Sequence, residues 1–307
     1  MKIATTTGDF SGYFDSEIDC VYELYNAGFR YIDLSLYNLK RLNEVYTDEN
    51  WLNEVKKLKI TAEKLGVKFV QAHCPANSKD IPIEKCEGYE DFLKGTLRSI
   101  EICGELGIKN TVYHAGLKRG ISKSEWQKAN AEFIKLLIPT LERCNVNLLV
   151  ENSTAKNTYD LYYTNSGSEL REFIDLIGHK NVGACWDTGH ANCEGSQYDD
   201  IVALGDKLYA IHYNDNHGAC DEHIAPYFGT LNHDEVLTAL KDINYNGYFT
   251  LECSSMLISN KGWPHKRREF KKDERLAVPP LFLQQEFEKV LYKTAKYLLE
   301  TYELFEE

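Results

Sequence analysis

The chain has 307 residues, 43% hydrophobic and 27% charged, a globular balance that excludes a disordered chain and a disulfide-stapled miniprotein. Its formal net charge of −12 sets up a field that disfavours nucleic acid and anionic lipid, although a local basic patch can still bind either. The nine cysteines are odd in number and form no CxxC pair, so they read as reduced thiols and small buried hydrophobes, none with a catalytic role. The first residues lack the long apolar core of a signal peptide, and no apolar run approaches the roughly 18 residues that span a bilayer. A cytoplasmic protein without a membrane segment is expected.

Short β-branched or aromatic runs alternate with longer amphipathic stretches along the chain. The pattern predicts strands at 3–7, 31–36, 68–73, 110–114, 147–151, 182–187, 208–214 and 248–252. Helices are predicted between them, among others at 48–65, 89–106, 124–143 and 233–243, with a last one at about 284–302. Strands separated by helical crossovers signal a parallel sheet. Eight such units predict a (β/α)8 TIM barrel of the α/β class, with a doubly wound open sheet as the alternative. No phosphate-binding glycine loop of the GxGxxG or GxxxxGK[ST] type is present. One domain over 1–307 is expected, because no low-complexity linker interrupts it. Two connections are long: 152–167 after the fifth strand, and an insertion at about 254–283 after the eighth.

Six predicted strands end in a residue of the metal-ligand type: His73, His114, Glu151, Asp187, His212 and Glu252. His190 follows Asp187 by three positions, and Asp221 and His223 lie in the loop after the seventh strand, where Gly229 is expected to permit a tight return. One such residue at a strand end means little, but a barrel gathers all its C-terminal strand ends on one face. Alternation points Glu151 inward with Leu149 and His212 inward with Ala210, while Val150 and Ile211 face the helices. Carboxylates and imidazoles crowded into one cavity repel and desolvate one another unless a cation sits between them. The mixed donor set suits Zn, Mn, Fe or Co better than Ca or Mg.

The segments Ala72-His73-Cys74-Pro75, Tyr113-His114-Ala115-Gly116, Val150-Glu151-Asn152, Trp186-Asp187-Thr188-Gly189-His190, Ile211-His212-Tyr213-Asn214-Asp215 and Leu251-Glu252 form an ordered series. The series resembles the xylose-isomerase-like barrel superfamily, which holds sugar isomerases and epimerases, inosose dehydratases and endonuclease IV. For the sugar enzymes the resemblance implies one metal held by Glu151, Asp187, His212 and Glu252. Glu151 and Glu252 would double as the acid–base pair, acting on a sugar, sugar phosphate or polyol through a metal-bound enediolate. His190 would orient a substrate hydroxyl, and His73 and His114 would line the pocket or hold a second ion. For endonuclease IV it implies a three-zinc site built from His73, His114, Glu151, Asp187, His190, His212, Asp221, His223 and Glu252, all present here. The cofactor expectation is therefore a divalent ion (Mn, Zn or Co), one or up to three per chain.

Four features favour the sugar enzyme over the nuclease. The segment after His73 lacks the aromatic residue of endonuclease IV, and the segment after His223 lacks its Arg and Glu-Asn pattern. The net charge opposes a nucleic-acid backbone, and the early loops at 8–15 and 37–41 offer few cations. Against this, Lys261, Lys266, Arg267, Arg268, Lys271 and Lys272 surround Trp263 in the insertion after Glu252. This cluster reads either as a solvated loop or as an anion-binding element centred on Arg267 and Arg268. Two departures mark the chain off from the ketohexose 3-epimerases: Asn157 where they carry a glutamate, and no arginine after His212. Tyr159, Tyr162 and Tyr163 read equally as a lid over the site or as packing. A small-molecule sugar ligand and a homo-oligomer paired through the active-face loops are the partner expectations.

Overall fold

A computed structural model of the chain describes residues 1–76, 83, 85–158, 163–253, 257, 275 and 279–307. Its strands are β1 (Ile3–Thr6), β2 (Tyr31–Ser35), β3 (Lys68–His73), β4 (Asn110–Tyr113), β5 (Asn147–Glu151), β6 (Val182–Asp187), β7 (Leu208–Tyr213) and β8 (Phe249–Leu251). Neighbours in sequence pair in parallel throughout, and β8 pairs with β1 through Ile3–Phe249, Ala4–Thr250 and Thr5–Leu251, so the sheet is a closed barrel. The TIM barrel is the architecture expected from the strand pattern. Closure leaves no sheet edge unpaired. The observed strand limits lie within one residue of those predicted.

The helices are α1 (Glu17–Ala27), α2 (Leu39–Val45), α3 (Trp51–Leu65), α4 (Tyr89–Leu106), α5 (Lys123–Cys144), α6 (Ala155–Thr158), α7 (Gly167–Ile177), α8 (Thr188–Asn192), α9 (Tyr198–Leu204), α10 (His233–Asp242) and α11 (Leu281–Thr301). Ser122–Glu125 at α5 and Ser166–Glu169 at α7 form capping boxes, in which each side chain satisfies a backbone N–H that the helix leaves unpaired. The long connection expected at 152–167 therefore contains a helical turn, α6, and only its middle lies outside the described residues.

The core has two parts. Outward strand residues such as Leu34, Val150, Trp186 and Ile211 pack against the helices with Leu24, Phe133, Leu170 and Leu298. Each such buried side chain contributes about 1.5–3 kcal/mol relative to exposure. Inside the barrel, Val112, Leu149, Cys185 and Ala210 form a separate apolar layer. Each lies two residues before a ligand-type side chain: His114, Glu151, Asp187 and His212. The expected alternation thus holds, with Leu149 and Ala210 inside and Val150 and Ile211 against the helices. That apolar layer is the floor on which the polar strand ends stand. No helix among the described residues is long and apolar enough to cross a membrane.

Candidate metal centre and active site

His73, Glu151 and Asp187 are the last residues of β3, β5 and β6, and His212 is the next to last of β7. His114 and Glu252, expected as strand ends, stand one residue beyond β4 and β8. All six sit at the C-terminal mouth of the barrel. One ligand atom from each of Glu151, Asp187, His212 and Glu252 falls within a sphere in which no two are more than 4.8 Å apart. The same limit holds for His73, His114 and Glu151, and for His190, Asp221 and His223. All nine candidate residues are brought into one site.

The contacts are dense. Glu151 is bonded by His212 through Oε1, and its Oε2 lies 2.7 Å from Nε2 of His114. Nδ1 of His212 also lies 3.2 Å from Glu252. Nε2 of His114 and Nε2 of His73 are 3.0 Å apart. Asp221 Oδ2 is shared by His190 at 3.2 Å and His223 at 3.0 Å, while its Oδ1 is buried with no partner among the described residues. The side chain of Glu252 is 21% exposed and that of Glu151 only 2%, so Glu252 is the carboxylate open to the cavity.

Burial and neighbouring charge set the protonation states. Burial, aided by His114, pushes His73 down to about 4, so it is neutral at pH 7. Burial also opposes charging of His190, His223 and His212, but the acidic groups around them prevail. Asp187 and Asp221 hold His190 well above its ordinary value, and Asp221 holds His223 at about 10. Cys185 together with Glu252 and Glu151 raises His212. Burial would raise Glu151, Glu252 and Asp221, yet the imidazoles beside them hold all three below the carboxylate range. Asp187 instead goes up to about 6, because burial outweighs His190. Imidazolium groups thus neutralise the convergent carboxylates of the bare chain, as a cation would.

Supporting residues to which the sequence reading gave no role fix this geometry. Gln71 donates to Asp33 at 2.8 Å and lies 2.7 Å from Nε2 of His212. Both Asp33 and Gln71 are inward residues of their strands, and Gln71 precedes His73 by two, so alternation was the available signal. Asn152 brackets Asp187, accepting from its N–H at 2.6 Å and donating to its carbonyl at 3.0 Å. Asn214 donates to Asp187 Oδ2 at 2.7 Å. Gly189 lets Asn214 approach, since a Cβ there would lie 1.8 Å from Asn214 Oδ1. Cys185, whose thiol burial pushes up to about 12, forms a further close group with Glu151 and His212.

Three expectations change. Gly229 was expected to supply turn freedom, but what the structure requires there is space: a Cβ would meet Asn216 O at 2.2 Å and Asp215 Oδ1 at 2.3 Å. Tyr163 packs, donating to Ile121 O at 3.0 Å with its ring 5.8 Å from Trp126. Asn157, one of the departures, enters the site by donating to Asp221 Oδ2 at 3.0 Å, and its own oxygen is buried without a partner among the described residues. Tyr159, Tyr162, Trp263 and the basic cluster Lys261, Lys266, Arg267, Arg268, Lys271 and Lys272 lie outside the described residues.

Residues 21–273 match the model of one family, described as the xylose isomerase-like TIM barrel. The chain belongs to that family. Among curated proteins it is similar to a D-psicose 3-epimerase of Enterocloster bolteae, 26% identical over 234 residues, 73% of this chain and 72% of that protein. It is also similar to an inosose isomerase of Bacillus velezensis, 26% identical over 178 residues, 54% of this chain and 61% of that protein, so the match spans about three fifths of this relative's length. Among solved structures, the IOLI protein with a bound zinc atom superposes with a TM-score of 0.73 at 18% identity, covering 98% of this chain and 99% of that one.

Proposed function

We propose that this family member is a divalent-metal-dependent isomerase or epimerase of a sugar or sugar derivative. The observation that carries the reading is the convergence of Glu151, Asp187, His212 and Glu252, with both glutamates reaching Nδ1 of the same imidazole. The donor set fits a divalent ion: buried carboxylates and imidazoles converge, and Asp221 keeps a buried oxygen unpaired. Glu151, Asp187, His212 and Glu252 would hold the principal ion, which when bound supplies Lewis acidity to a substrate carbonyl and its neighbouring hydroxyl. A zinc-bound neighbour supports zinc, and manganese and cobalt suit the same donors. The groups His73–His114–Glu151 and His190–Asp221–His223 are candidates for further ions.

Glu252, open to the cavity, would take the proton from the carbon beside the carbonyl. Glu151, which pairs with His212 and His114, would be its partner: in its carboxylic-acid form it would return a proton to the other face or to the neighbouring carbon. Asn157, whose oxygen is unpaired among the described residues, would orient a substrate hydroxyl, as would His190 in exchange for its bond to Asp221. The sugar-enzyme names of the curated relatives support the substrate class. The site is proposed to act on a small molecule and not on nucleic acid, in a reducing cytoplasmic compartment, where all nine cysteines remain free thiols.

Incubating the metal-loaded protein with a panel of ketoses in deuterated water tests the reading. Deuterium entering the carbon next to the carbonyl supports it, and a fully metal-loaded protein that exchanges no member of the panel refutes it. The two additional ligand groups favour one second reading, a zinc-dependent phosphodiesterase of the endonuclease IV type. Cleavage of a duplex containing an abasic site would select it.

A further inference from the structure

A cavity of about 590 Å³ lies beside the metal centre, between the turn that follows β1 and the connection from β2 to α2. It is larger than a phosphate or a methyl group needs and falls within the size range of small-ligand pockets. Tyr37 is common to the cavity and the metal centre: the residue lines the cavity, and its ring stands edge-on to His73 at 5.2 Å and to His114 at 6.0 Å. Tyr37 is thus the residue that a molecule bound at the metal centre would have to pass to reach this space.

The chemistry of the walls selects what can fill it. Arg41 is already matched, 2.7 Å from Glu17 and 3.8 Å from Asp15, and Lys40 lies 3.8 Å from Glu44. With these three acids against two bases, the lining opposes a phosphate or carboxylate. Its aromatic surfaces are Phe14 and Tyr37, the latter 44% exposed and so available for stacking. Asn38 uses its oxygen to cap α2, and its amide N–H groups, like the Ser35 hydroxyl, have no partner among the described residues. Apolar ring faces beside unpaired neutral donors match the C–H faces and hydroxyls of a pyranose.

Resting on the sugar-enzyme reading above, we infer that this cavity is a subsite for a second, uncharged sugar ring, and that the substrate is a glycosylated ketose. The ketose end sits at the metal centre, and the glycosyl group reaches past Tyr37 to Phe14, Ser35 and Asn38.

Titration calorimetry of the metal-loaded protein tests this by comparing fructose with fructoses that carry a glucosyl group at O4, O5 or O6. At least one glucosyl-fructose is expected to bind about tenfold tighter than fructose. Ser11→Trp fills the cavity from its exposed rim and is expected to erase that advantage, and Ser35→Ala to reduce it roughly threefold. Equal affinity across the panel overturns the subsite. So does an advantage that survives both substitutions in variants with wild-type metal content and thermal midpoint. Binding is read independently of turnover. Glucosyl-fructose that binds as expected while neither it nor any ketose of the panel exchanges deuterium refutes the epimerase and keeps the subsite. Fructose that exchanges, with no glucosyl advantage, does the reverse.

Discussion

The Gln71 amide nitrogen lies 2.7 Å from Nε2 of His212, the ring nitrogen that Glu151 and Glu252 do not contact. When Nδ1 of an imidazole serves an ion, Nε2 keeps its proton and needs an acceptor. The Gln71 amide can turn its oxygen to that N–H in exchange for its donation to Asp33. Gln71→Ala is expected to weaken metal binding roughly 10–100-fold while leaving the circular dichroism spectrum unchanged. Unaltered affinity in a competition titration would show that His212 is oriented by its carboxylate partners alone.

Glu252 is assigned the proton transfer because it alone of the two glutamates opens to the cavity. Glu252→Gln keeps an oxygen for the ion but loses the base. Metal content near that of the wild type is expected, with kcat lower by roughly a thousandfold. Normal turnover in this variant would remove Glu252 from the acid–base pair.

Metal uptake should release protons. His190, His212 and His223 are held protonated at pH 7 by carboxylates, with His223 at about 10, and an imidazolium cannot serve as a ligand. Affinity is therefore expected to rise with pH throughout the range below about 10. Calorimetry in two buffers of different ionisation enthalpy counts the protons released. His73, at about 4, should contribute none. Loading that releases no protons would contradict the imidazolium–carboxylate pairing of the bare site.

A second acidic pair affects stability. Asp9 accepts from Thr5 at 2.6 Å and Glu288 from Gln284 at 2.9 Å, and each keeps one buried oxygen unpaired among the described residues. Burial pushes Asp9 up to about 7, and burial together with Asp9 holds Glu288 well above its ordinary value. Folded values above the unfolded ones mean that the native state binds the extra protons. Stability is therefore intact below pH ~4 and falls as pH rises, through about 7 for Asp9. Asp9→Asn and Glu288→Gln in the metal-free protein should each gain on the order of 2 kcal/mol at pH 8 and almost nothing at pH 4. Thermal melts at the two values check this, and a pH-independent gain would point to packing.

The ligand residues were legible because strand alternation and barrel closure act on short range: once Leu149 is inside, Glu151 must be, and closure puts His73 and Glu252 at the same mouth. The same rule marks Asp33 and Gln71, but neither belongs to a recurrent motif and each looks like an ordinary strand polar residue. Asn152 and Asn214 depend on which loops touch across the mouth, which no local pattern encodes. Gly189 and Gly229 are explained by distances of 1.8 and 2.2 Å to atoms far along the chain, so only the tertiary structure supplies the reason. The cavity beside Tyr37 arises from how α1, α2 and the β1 turn fail to fill space, a property of packing rather than of any one segment.

Glu151, Asp187, His212 and Glu252 come from four consecutive strands, β5 to β8, whereas Tyr37, Ser35 and Asn38 belong to β2 and the connection that follows it. In the proposed reading, the acid–base pair and the glycosyl subsite are thus carried by different halves of the polypeptide. Recombination or loop exchange within the first forty or so residues could retarget such a protein to a new glycosyl partner while its reactive half is inherited intact. Drift in the second half would have no such freedom.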